Sequence, residues 1–185
     1  MDTNTIIIIA VLVTLALIVV ALIVRKSRSA NLQRHFGPEY ERAVEETGDR
    51  RQAEADLHER EKRVKAFSIR PLSPKDRERY AVSWRSVQAE FVDNPKVAVA
   101  RADQLVEDVM SARGYPVTDF DQVAADLSVD HPVVVQNYRA AHEIVRRRDR
   151  GVTATEDLRQ AMVHYRTLFD ELVGRSSGGP AQAAS

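Results

Sequence analysis

Cysteine is absent from the 185 residues. That excludes disulfides, thiolate metal sites, a catalytic thiol and a lipid-modified cysteine behind a cleaved leader. It also agrees with a reducing compartment. Net charge is absent as well, since 27 Lys and Arg balance 27 Asp and Glu. Without Arg25, Lys26, Arg28 and Asp2 the balance is 24 basic against 26 acidic side chains, which exerts no general pull on nucleic acid. Glycine is scarce and never forms the run ahead of Lys-Ser or Lys-Thr that cradles phosphate. The histidines are His35, His58, His131, His142 and His164, and no two lie four apart with a glutamate between them, so the zinc-protease pattern is missing. Strand alternation and internal repeats are missing too. Neither a metal site nor a cofactor is expected.

What the chain does have is one long apolar run. Residues 6–24 carry no charge, and 15 of these 19 are Ile, Leu or Val. As a helix they extend roughly 28 Å, close to the hydrocarbon thickness of a bilayer. Insertion of those 15 side chains is favourable by about −5 to −9 kcal/mol. A helix in a soluble core shows a polar face, and this one shows none. The competing explanation is a cleaved signal peptide, which needs a basic start, a shorter apolar stretch and small residues at the cleavage point. The start here is Met-Asp-Thr-Asn-Thr, and the run ends directly in Arg25-Lys26-Ser27-Arg28. The sequence therefore predicts a retained single-pass anchor.

Arg25, Lys26 and Arg28 follow the run and no cation precedes it. The positive-inside rule puts the rest of the chain in the cytoplasm and the N-terminus outside. The three cations form a basic cluster at the membrane surface, suited to anionic head groups. Ala10 and Thr14 give a small-xxx-small spacing with Ala21 on the same face, a pattern that can pair membrane helices. Homo-oligomerisation through it is one possibility; alanine in any apolar helix is the plainer explanation.

Beyond residue 30 the punctuation is helical. Pro38, Pro74, Pro95 and Pro132 stand where helices can begin, because the first turn tolerates a missing N–H. Gly48, Gly114, Gly151 and Gly174 stand where helical patterns stop. Ser73 and Asn94 are candidate N-caps, and Thr153 with Glu156 has capping-box spacing. Between these marks the apolar residues recur at helical spacing. Tyr80, Trp84, Val87 and Phe91 form one stripe within residues 74–92. Ala98, Ala102, Leu105, Val106, Val109 and Met110 form another within 95–113. Val134, Tyr138, Ala141 and Val145 follow within 132–149. Leu158, Ala161, Met162, Tyr165, Leu168, Phe169 and Leu172 complete the set within 155–173. A shorter helix covers 120–127. One-faced helices are unstable alone and must pack together, so an antiparallel helical bundle is expected over residues 68–174.

Residues 49–65 differ, with 11 of 17 charged. Mixed charges suit a solvated helix held by i to i+4 pairs. Residues 38–67 thus read as a charged helical linker broken near Gly48, reached through a basic juxtamembrane segment at 25–37. A coiled-coil dimer is the sharper alternative, but Ala53, Leu57 and Val64 are too sparse for a seam. Residues 175–185 are small and polar, and they read as a disordered tail. The fold class is all-α, with one N-terminal transmembrane helix after the short N-terminus at 1–5.

One polar set could carry chemistry. Asp130, Arg139 and His142 belong to one segment. Asp157, Gln160 and His164 belong to the next, on a shared face at i, i+3 and i+7. Packed side by side, these helices would bring His142 and His164 to one polar groove, where a histidine–carboxylate pair can act as general acid and base. Ordinary hydrogen bonding beside an apolar stripe explains the same residues. Arg146, Arg147, Arg148 and Arg150 cluster at a helix end, where the helix dipole favours cations, and they lack the interleaved aromatics of a nucleic-acid surface.

Three stretches, Phe36-Gly37-Pro38-Glu39-Tyr40, Ile69-Arg70-Pro71-Leu72-Ser73 and Arg113-Gly114-Tyr115-Pro116-Val117, carry a resemblance, strengthened by the run from Thr155 through His164 to Arg166. On these residues the chain resembles a group of uncharacterised bacterial proteins with an N-terminal membrane segment and a helical domain. The resemblance spans roughly residues 33–172. It implies a bacterial origin and a real folded domain, and it assigns no activity or site; with the anchor and its flanking charges, the expected location is the bacterial inner membrane. The reading from sequence is a membrane-tethered interaction module, adaptor or scaffold, with the lipid bilayer and a protein as partners. The alternatives are a small-molecule sensor or enzyme using the His142 and His164 groove, and a self-associating structural membrane protein.

Overall fold

The computed structural model describes residues 3–149 and 154–174, apart from the side chains of residues 3–11, 18, 21, 22, 24, 25, 148 and 149. All the regular secondary structure among the described residues is helical: α1 Thr3–Phe36, α2 Pro38–Thr47, α3 Arg50–Lys65, α4 Pro74–Asp93, α5 Pro95–Arg113, α6 Phe120–Asp130, α7 Val135–Asp149 and α8 Thr155–Val173. The all-α expectation holds. Among the described residues no helix is long and apolar enough to cross a membrane. The expected span at 6–24 falls partly on side chains outside that set, as do Arg25, Arg148, Arg150, Gly151, Thr153 and the tail at 175–185.

The chain forms two compact units that divide between His58 and Glu59, inside α3. In the first, α1 continues without a break through Lys26 and Arg28, so residues 25–36 are helix and not a separate segment. Gly48 stops α2 in the left-handed conformation, and its N–H bonds to the Val44 carbonyl. That break lies where the sequence puts it. The solvated linker does not survive in full, because Leu32, Phe36, Tyr40, Ala43, Ala53 and Leu57 are all buried. A polar knot accompanies them. Ser29 Oγ and Tyr40 Oη donate to Glu54 Oε1 at 2.5 and 2.8 Å. Arg50 Nε donates to the same oxygen at 3.0 Å, and its Nη2 reaches Ser29 Oγ. Burial alone would raise the Glu54 carboxyl, but the hydrogen bonds from Ser29, Tyr40 and Arg50 together hold it below the usual carboxylate range.

The second unit contains the bundle. Ser73 Oγ caps α4 by accepting from Asp76 N at 3.1 Å. Only Asn94 separates α4 from α5, which forces a tight hairpin. The helices are antiparallel: Glu90 pairs with Arg101, and Tyr80 donates to the Asp108 carbonyl at 3.3 Å. Helices α7 and α8 are antiparallel as well, with Asn137 of α7 against His164 and His131, in the turn ahead of α7, against Glu171. Helices α5 and α8 instead run parallel, since Asp103 meets Tyr165 and Arg113 meets Leu172. The strictly antiparallel bundle is therefore corrected at this one seam. The turn after Gly114 and the short α6 act as the crossover that returns the chain for α7.

The apolar stripes meet in one core. Tyr80, Trp84 and Val87 of α4, the expected α5 stripe from Ala102 to Met110, Tyr138, Ala141 and Val145 of α7, and Leu158 through Leu172 of α8 are buried there, with Phe91, Val134 and Met162 at its margin; Ala98 is buried outside this core. Trp84 and Phe169 stack with ring centroids 4.7 Å apart, a contact worth about 0.5–1.5 kcal/mol beyond the area it buries. One helix start and one helix cap differ from expectation. Helix α7 begins at Val135 because Pro132 opens a turn and not a helix. Helix α8 has Ala154 at its N-cap, and Asp157 reaches back to the Ala154 N–H at 3.2 Å. Only that half of a capping box exists, shifted by one residue from the Thr153 and Glu156 spacing, because alanine has no oxygen to give.

Candidate functional site

Helices α5, α7 and α8 hold the first of two polar clusters in the second unit. Asp103 lies on α5 beside the stripe residue Ala102. Its Oδ1 accepts from Tyr165 Oη of α8 at 2.8 Å. Burial first, and then Asp103, push the Tyr165 phenol far above its ordinary value. Burial, Asp103 and Glu107 do the same to Tyr138 of α7. Both shifts favour the neutral phenol, the form in which Tyr165 donates to Asp103. Glu107, one turn from Asp103, is raised by partial burial and by its acidic neighbours Asp103 and Asp108. Phe120 of α6 covers the α7 side, stacking on His142 at 3.5 Å and packing against Tyr138 at 4.8 Å. Partial burial lowers His142, with Asp103 opposing and Arg146 reinforcing the shift.

The second cluster gathers at the C-terminal ends of α5, α6 and α8. Arg113 Nη1 donates to the Leu172 carbonyl at 3.3 Å and lies 3.2 Å from His131 Nε2. His131 Nδ1 lies 3.2 Å from Glu171 Oε1. Tyr115 Oη donates to Asp130 Oδ2 at 2.6 Å, and the Arg113 guanidinium sits 5.7 Å from the Tyr115 ring centre. Gly114 makes this corner possible. Its φ of +98° is left-handed, and a Cβ there would stand 2.6 Å from the Ser68 carbonyl oxygen. One turn before Asp130 on α6, Asp126 is almost fully buried and accepts from Arg63 at 2.6 and 2.7 Å and from Gln122 at 2.9 Å. Between α4 and α5 lies an open depression of about 500 Å³, lined by Arg79, Tyr80, Ser83, Leu105, Asp108, Ser111 and Ala112.

The six groove residues expected from sequence take separate partners. Asp130 accepts from Tyr115, Asp157 caps α8, and Gln160 donates to Glu156 at 3.2 Å. Arg139 is half-buried on α7. His142 stacks on Phe120, while His164 Nδ1 lies 2.8 Å from Asn137 Oδ1. The two histidines thus belong to different local arrangements. Asp103, Arg113, Tyr115 and Glu171 make polar contacts that the sequence spacing did not foreshadow. One signal was available: Asp103 sits between Ala102 and Val106 on an otherwise apolar helix face. In the first unit Lys26 and Arg28 are exposed, and Arg25 lies outside the described side chains. Among the described residues no group of three His, Asp or Glu is placed to hold a metal ion. No family model, curated protein or solved structure matches the chain.

Proposed function

We propose that the chain is a membrane-tethered helical interaction module. The observation that carries this is on α1, where Leu12, Val13, Leu15, Leu17, Val19, Val20 and Ile23 are each 51–65% exposed. At about 100° per residue these positions reach around more than half of the helix circumference. Large apolar side chains in such density need a nonaqueous neighbour, and the uncharged run at 6–24 supplies the length that a bilayer requires. Lys26 and Arg28 follow at the height of the head groups. They favour a cytoplasmic location for the helical units and an external N-terminus, with the bacterial inner membrane as the site. Tethering confines the helical units to the membrane surface and raises their effective concentration for a protein partner there.

The test is purification of the full-length protein from its native membrane in mild detergent, with the intact complex weighed by mass spectrometry. A second protein in near-stoichiometric amount is the expected result. A bare monomer at every detergent concentration would contradict the adaptor role, and a multiple of the chain's own mass would replace it with self-association.

A further inference from the structure

His131 ends α6 and fills the space between the last turns of α5 and α8, with 11% of its side chain exposed. Each ring nitrogen has one polar neighbour. Nε2 lies 3.2 Å from Arg113 Nη1, and Nδ1 lies 3.2 Å from Glu171 Oε1. A guanidinium can only donate, so Nε2 must accept. The single ring proton then belongs on Nδ1, where it is donated to the Glu171 carboxylate. A neutral imidazole joins a cation to an anion, one nitrogen to each.

We propose that His131 is a proton-sensitive clasp, which ties the ends of α5, α6 and α8 together while neutral and releases Arg113 when it takes up a second proton. The second proton would sit on Nε2, facing an N–H of Arg113. Two donors cannot bond each other, and two like charges would stand 3.2 Å apart. The surrounding charges divide. Arg113 from α5 opposes the added proton, while Glu171 from α8 and Asp130 from α6 favour it, and the Tyr115 phenol is held neutral by burial and Asp130. Burial and Arg113 prevail, so the ring is held below the usual histidine range. The unfolded chain therefore takes up this proton before the folded one does. Stability is full above the unfolded value, about 6.5, and falls as the pH drops from there toward the folded value. The clasp is independent of the membrane anchor, so failure of either idea leaves the other standing.

The test follows the ring nitrogens of His131 by NMR in the full-length protein in micelles, from about pH 8 to about pH 5. The expected result is the Nδ1–H tautomer at high pH, with a midpoint below the ordinary value of about 6.5. The Arg113 side-chain signals should move at the same midpoint. His131→Gln offers a carbonyl to Arg113 and an amide to Glu171 without titrating. Between about pH 7.5 and about pH 5.5 the unfolding constant of the native protein should rise up to about tenfold more than that of His131→Gln. Should His131→Gln fail to fold, Glu171→Gln retains the ring and must lower its midpoint further. An Nε2–H tautomer, a midpoint at or above the ordinary value, or a midpoint unmoved by Glu171→Gln would overturn the clasp.

Discussion

Gly114 and Gly48 both end helices at positive φ, yet their substitutions should differ in cost. At Gly48 a Cβ meets nothing within 4 Å, so Gly48→Ala loses only the left-handed preference, about 1–2 kcal/mol. At Gly114 the same strain is joined by a 2.6 Å approach to the Ser68 carbonyl. That contact is backbone, and the Arg70 N–H to Arg113 carbonyl bond at 2.8 Å holds the two segments in register. Gly114→Ala should therefore cost clearly more than Gly48→Ala, by at least about 1 kcal/mol. Denaturant titration of the two variants side by side measures the difference, and equal losses would show that the 68–70 strap yields freely. The sequence marked Gly114 as a helix stop correctly. It could not show the strap, because Ser68 lies more than forty positions away and nothing in a turn motif encodes what packs on it.

At the scale of elements, the helix starts separate caps that bond from caps that merely occupy the position. Ser73 accepts from Asp76 N at 3.1 Å and Asp119 accepts from Gln122 N at 3.0 Å, whereas Asn94 makes no side-chain cap bond. Replacing Ser73 or Asp119 with alanine should each cost about 1 kcal/mol, and Asn94→Ala should cost far less. Thermal unfolding of the three variants checks the ranking; a large loss at Asn94 alone would invert it. The helices themselves were legible because their apolar stripes recur at helical spacing, as Ala98, Ala102, Val106 and Val109 do along α5. What escaped was the pairing between them. Asp103 and Tyr165 stand 62 positions apart, and their contact depends on α5 and α8 being parallel, which short-loop logic argues against. The neighbours of His142 and His164 escaped for a related reason. Periodicity places a residue on a face but leaves its neighbour unspecified, and Phe120 from the crossover took the position against His142. Residues 38–57 hid their burial differently: the charge density of α3 masked Ala53 and Leu57, which are fully buried.

For the whole molecule, the decisive feature is the contrast between α1 and the rest. The second unit gathers most of its apolar side chains in one core and leaves only scattered valines such as Val82, Val92 and Val133 exposed, while α1 leaves seven large ones crowded between Leu12 and Ile23 at least half exposed. The bilayer we propose would resolve that contrast without any further contact from the chain. A charge at the middle of the span would then be costly, about 2.5–3.5 kcal/mol for each arginine. Two such charges offset most of the favourable insertion energy of about −5 to −9 kcal/mol. The most direct test is alkaline carbonate extraction of membranes carrying the full-length protein, beside a Val13→Arg, Leu17→Arg double variant with every other residue unchanged. The account predicts that the native chain stays in the membrane pellet and that the double variant moves to the supernatant. A native chain released by carbonate, or a double variant retained as firmly as the native chain, would contradict it.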